Sequence, residues 1–83
     1  MLRAVAEYVV TDAARKALES RYKRHGPYGD SSERHGVVMD ATVAFALVLA
    51  RVCPPSPELT KALDYLETAQ WAANAAIARN EQM

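Results

Sequence analysis

The run Ala41 to Ala50 reads ATVAFALVLA, apolar on nearly every side when wound as a helix. It constrains the fold more than any other part of the chain, because a helix that is apolar all round must be buried all round. The whole chain has only 83 residues, and one neighbouring helix from so short a sequence cannot enclose it. The pattern asks for other protomers around this helix; the alternative is a central helix in a three-helix monomer, and the oligomer is the favoured reading. Size points the same way. A chain this short is marginal alone, and the usual remedies are disulfides, a metal or self-association. Cys53 is the one cysteine, so no intrachain disulfide is possible, and His25 and His35 do not complete a zinc framework. Self-association is the remedy left.

Prolines and glycines divide this single domain, residues 1–83, into helices. The first runs from about Thr11 to Arg24, with Thr11 as N-cap and Asp12 in the first turn. Before it, Ala4 to Val10 reads as a short strand or an extra helical turn, with the helical turn favoured. The segment His25-Gly26-Pro27-Tyr28-Gly29-Asp30-Ser31 stops the helix. Asp30 and Glu33 then form a capping box for a second helix from about Ser31 to Val52, which Gly36 weakens by roughly 1 kcal/mol relative to alanine. Cys53-Pro54-Pro55-Ser56-Pro57 is a tight stop and restart, with Ser56 as cap and Pro57 at the first helical position. The third helix, Pro57 to about Asn80, carries one amphipathic stripe: Leu59, Ala62, Leu63, Leu66, Ala69 or Gln70, Ala73, Ala76 and Ile77. The expected fold is all-α: a short N-terminal helix and an antiparallel two-helix hairpin. Trp71 lies off the stripe beside Asp64 and Glu67, where a large aromatic reads as an interface residue or, alternatively, as a half-exposed ring lying across its own helix. The two carboxylates themselves read as a solvated face.

Net charge is zero, which argues against a partner such as a DNA or RNA strand. Residues 15–35 nevertheless hold Arg15, Lys16, Arg21, Lys23, Arg24 and Arg34 against Glu19, Asp30 and Glu33. A local basic patch on a neutral protein suits a compact anion. The strongly apolar stretch Ala41 to Ala50 reads as too short to span a membrane, and no secretory signal is visible, so a cytoplasmic location is expected.

Nothing resembles a nucleophile–base pair or a phosphate loop, and Cys53 beside Pro54 reads as a small hydrophobe rather than a nucleophile. No catalysis, metal or cofactor is expected. The concentrated polar constellation is Arg21-Tyr22-Lys23-Arg24-His25-Gly26-Pro27-Tyr28-Gly29, followed by Arg34-His35. Cations fit phosphate oxygens, and tyrosine rings offer stacking surfaces for bases. Glycines permit close backbone approach, and a helix N-terminus favours an anion. Tyr22, Lys23, Arg24, His25, Tyr28, Arg34 and His35 are therefore the candidate ligand-binding residues. The other reading of the same segment is a basic surface turn with Tyr22 packed in the core.

The C-terminal half carries a resemblance. Cys53-Pro54-Pro55-Ser56-Pro57-Glu58, Ala62-Leu63-Asp64-Tyr65-Leu66-Glu67 and Trp71-Ala72-Ala73-Asn74-Ala75-Ala76-Ile77-Ala78-Arg79-Asn80-Glu81 resemble the hairpin of the phage anti-CBASS cyclic-nucleotide sponges (anti-CBASS protein two), which is shared with the anti-Thoeris sponges. Arg21-Tyr22-x-x-His25-x-Pro27 resembles the same family's element before its second helix. The likeness covers roughly residues 20–81 and leaves the first ten without a counterpart. It implies a homohexamer that sequesters cyclic oligonucleotide second messengers, dinucleotides or trinucleotides, without cleaving them, inside an infected bacterial host. The chain departs from the pattern at Arg24, where the family has tyrosine, near Met39, where it has lysine, and at His35, where an aromatic is expected. Two alternatives follow: the basic and stacking roles pass to Tyr22, Lys23, Tyr28 and Arg34, or the cyclic-dinucleotide pocket is altered or takes another ligand. The rivals are a sponge for a cyclic ADP-ribose-type signal and a structural adaptor without a nucleotide pocket.

Overall fold

A computed structural model of the chain describes residues 5–23 and 32–80. These form three helices with no strand among the described residues: α1 (Asp12–Tyr22), α2 (Ser32–Val52) and α3 (Pro57–Asn80). The architecture is all-α, as the sequence pattern requires.

Each described boundary has a local cause. Thr11 caps α1, its Oγ1 accepting from the Ala14 amide at 3.1 Å. Residues 5–10 are not helical, contrary to the extra turn expected there. Thr11 sits in extended backbone at the cap, and the valines before it lose side-chain freedom in a helix. The segment has a different use: the Tyr8 N–H donates to the Arg51 carbonyl at 2.8 Å, satisfying one of the orphan acceptors at the end of α2. At the other end, Lys23 is extended, so α1 stops at Tyr22 and not at Arg24. The expected capping box rests on Asp30, which lies outside the described residues. Ser56 caps α3, accepting from the Leu59 amide at 3.1 Å.

Helices α2 and α3 pack against each other as an antiparallel hairpin, with His35 near the start of α2 meeting Asn74 late in α3. The same register puts Phe45 level with Asp64. Helix α1 lies against α2 and reaches α3 through its last turn, where Tyr22 meets Leu63 and Gln70.

What the bundle encloses is small and polar. Among the described residues the buried apolar side chains are Tyr22 and Ala46, joined by His35, Thr42 and Gln70. Gln70, and not Ala69, takes the inner place on the α3 stripe; Ala76 faces out. On α2 the buried residues His35, Thr42 and Ala46 share one side. Val37, Ala41, Ala44, Val48 and Val52 share the opposite side and are exposed, with Phe45 at its edge. The radius of gyration, 14.7 Å, exceeds the roughly 12 Å of a close-packed domain of this length.

The apolar length of α2 is also greater than Ala41 to Ala50. Val37, Val38 and Met39 extend it, and the helix Glu33–Val52, which holds an 18-residue window of mean hydropathy 1.6, is long and apolar enough by length and composition to cross a membrane. Ala41 to Ala50 is by itself too short to span, and the longer segment passes only by including the flanking residues from Glu33 to Asp40.

Gly36 sits in the second turn of α2, and no atom lies within 4 Å of where a Cβ would stand. Gly36→Ala is expected to raise stability in denaturant titrations by about 0.5–1 kcal/mol, the helix penalty of glycine. A loss of stability would mean that something beyond the described residues packs closely there.

Candidate ligand-binding site

The C-terminal end of α1 is fastened to α3 by a polar clamp. The Arg21 Nε donates to Glu67 Oε1 at 2.7 Å and its Nη2 to Asp64 Oδ1 at 2.7 Å. Its guanidinium carbon also lies 5.2 Å from the centroid of the Tyr22 ring. Burial alone lowers the Arg21 pKa, but the hydrogen bonds to Asp64 and Glu67 outweigh it, so the net displacement is upward and the cation is fixed. Asp64 and Glu67, spaced one helical turn apart, are thus the receptor for an arginine and not a bare solvated face. The pairs are partly exposed, which limits each to at most about 1 kcal/mol.

Tyr22 is enclosed completely, and its hydroxyl donates to the Leu63 carbonyl at 2.7 Å. The Gln70 amide nitrogen, from another buried side chain, donates to the Tyr22 carbonyl. The ring expected to stack on a base therefore has no open face in the folded chain; it is the plug that seats α1 on the hairpin. Burial pushes its phenol above the ordinary 10.0; Arg21 pulls against this, and Glu67 and Asp64 reinforce it.

His35 is buried too, with Nδ1 2.7 Å from Asn74 Oδ1. It ties α2 to α3 rather than facing outward, because its position on α2 falls on the inner side. Arg34, one residue earlier, is exposed and heads the outer stripe of Val37 and Ala41. The two neighbours expected to act together are thus turned apart by the helix. Lys23 is exposed directly after the clamp. Arg24, His25 and Tyr28 lie outside the described residues. Trp71 continues the Asp64–Glu67 side of α3 one turn further and is 60% exposed. It directly follows Gln70, whose side chain meets the Tyr22 carbonyl.

The sequence reading missed Gln70, Asn74 and the two carboxylates as structural partners. Complementary charge, Arg21 at a helix end against an i, i+3 acid pair, was the available signal; the period of α3 offered Gln70 only as the alternative to Ala69. Among the described residues no cluster of His, Cys, Asp or Glu is gathered as a metal ion requires. Comparison with protein-family models, with curated proteins and with solved structures finds no match to this chain.

The raised Tyr22 value has a definite sign for stability. The folded state holds the phenolic proton more tightly than the unfolded state does. Its contribution is whole below pH 10.0 and is lost as pH rises through the higher folded value. Alkaline unfolding of Tyr22→Phe is expected to depend less steeply on pH than that of the parent. Equal slopes in denaturant titrations across this range would rule out Tyr22 as a source of the alkaline loss.

Proposed function

We propose that this chain is a non-catalytic binding module, a self-assembling sponge for cyclic oligonucleotide second messengers in the manner of the anti-CBASS family that residues 20–81 resemble. The observation that supports it most is the pairing of that residue pattern with an α2 whose outer stripe, Phe45 and Val48 included, is left open by the chain's own helices. An assembled state, expected to be the hexamer, covers such a face. Ligand phosphates meet Lys23, Arg24 and Arg34. Because Tyr22 is committed to the fold, stacking falls to Tyr28 and to the open ring of Trp71. Tyr22 and His35 act by position, holding the end of α1 and the start of α2 in place. Arg34 on the outer side of α2 suits a site shared between protomers. Sequestration needs no chemistry, since removing free messenger lowers effector occupancy by mass action.

The test is to incubate the protein with cyclic dinucleotides, cyclic trinucleotides and cyclic ADP-ribose, denature it, and identify what is released. Intact messenger is expected, with binding unaffected by chelators. Recovery of no nucleotide favours the adaptor reading, and timed appearance of a linear product would mean an enzyme. In calorimetric titrations Arg24→Ala is expected to weaken binding by roughly 1.5–3 kcal/mol and Tyr28→Ala by roughly 1–3 kcal/mol, with assembly mass unchanged.

Val48 is 39% exposed in the single chain. Val48→Asp is expected to keep its helix content while losing assembly mass, because the cost of a buried unpaired charge arises only when the outer stripe is covered. Light scattering and circular dichroism on the same samples check this; an unchanged mass would remove the outer stripe from the interface.

A further inference from the structure

Residues 5–10 have no part in the clamp or in the proposed ligand site, and the family likeness does not reach them. They are nevertheless anchored. The Tyr8 amide holds the Arg51 carbonyl at 2.8 Å, and Arg51 Nε lies 3.8 Å from Glu7 Oε1. Their apolar side chains face outward: Val5 is 60%, Tyr8 45% and Val9 89% exposed. The part of α2 to which they are tied carries Val48 and Val52, which are also exposed. Arm and helix end stand side by side as an apolar surface that the other described residues leave open.

We infer that this surface is an interface between two copies of the chain, in which the arm of one copy lies against the last turns of the other's α2. The inference rests on the assembly part of the proposed function and adds a contact that the hairpin pattern does not contain. Charge identifies the partner. Glu7 and Arg51 carry opposite signs on the same surface, their side chains are 54% and 41% exposed, and 3.8 Å is too long for a hydrogen bond. Each keeps room for a second contact. A two-fold axis sets Glu7 of one copy against the partner's Arg51, and repeats the pair in reverse. A ligand or protein surface of one sign would match only half of it.

A bilayer is the competing cover, since α2 has the length and composition to span one. The hairpin register opposes it. Asp64 is level with Phe45, so inserting α2 together with the helix packed along it would carry the Arg21–Asp64–Glu67 cluster to mid-membrane. A second copy covers the same apolar side chains and leaves that cluster in place.

The test measures the mass of the full chain by light scattering beside helix content by circular dichroism. The parent is expected at a multiple of 9.1 kDa. Val9→Glu alters a side chain that touches almost nothing in the single chain, so helix content stays and the concentration needed for assembly rises at least about tenfold. Glu7→Lys is expected to weaken assembly as well, and the double variant Glu7→Lys/Arg51→Glu to restore it. A monomeric parent, an unchanged mass for Val9→Glu, or failure of the double variant to recover would overturn the arm interface. So would flotation of the parent with phosphatidylcholine vesicles that Val9→Glu abolishes, which assigns the surface to lipid. If Val9→Glu stays assembled while Val48→Asp dissociates, the arm interface fails and the assembly reading stands. Nucleotide titration of the parent scores the ligand reading separately.

Discussion

The circumference of α2 sets the terms for everything else in this protein. A helix needs neighbours on every apolar side, and two short partners can occupy only part of the circle. The covered part is lined by His35, Thr42 and Ala46, small or polar residues that let helices approach closely. Of the larger apolar residues, Val37, Phe45, Val48 and Val52 are on the open part, while Val38, Met39, Val43, Leu47 and Leu49 are half-buried. None of these larger side chains of α2 is fully buried, whereas bulky apolar side chains usually supply the interior. A fold so arranged gains little from its own hydrophobic burial and has most to gain from whatever covers α2.

With apolar burial short, directional polar contacts hold α1 on the hairpin. Arg21 spans Asp64 and Glu67, the Tyr22 hydroxyl takes the Leu63 carbonyl, and Gln70 takes the Tyr22 carbonyl. All of these fall at the last turn of α1; its earlier residues, Asp12 to Ala17, are exposed. The clamp thus fixes the point at which Lys23 leaves the helix more firmly than it fixes the helix as a whole. For a binding module this is the useful end to fix, since the cations and rings proposed to meet a ligand follow directly from it. Buried hydrogen bonds of this kind give little net stability but penalise alternative arrangements, in which a buried amide or phenol loses its partner.

Much of the framework was legible in the sequence, because it depends on interactions between residues close along the chain. Thr11 and Ser56 cap their helices through amides three residues on, and Pro54 and Pro57 bracket the turn between α2 and α3. The apolar period of α3 marked its inner side. The proposed site was less legible. Residue types pointed to a region, but Arg34 and His35 differ only by one helical step, and that step turns one outward and the other into Asn74. Tyr22 has the chemistry of a stacking ring and the location of a core residue, and location prevails.

The sequence by itself determined that the chain is helical, where α2 and α3 begin and end, and that α2 is apolar over most of its circumference. Each of these follows from backbone geometry and from a periodicity that repeats within a few residues. Only the tertiary structure decided that residues 5–10 run as a non-helical arm against the end of α2, that Asp64 and Glu67 receive Arg21, and that Gln70 belongs inside. Those outcomes depend on partners more than forty positions away along the chain, as Tyr8 with Arg51 and Arg21 with Asp64 illustrate. No local propensity encodes them, because a hydrogen-bonding group gains from burial only when the fold delivers its partner.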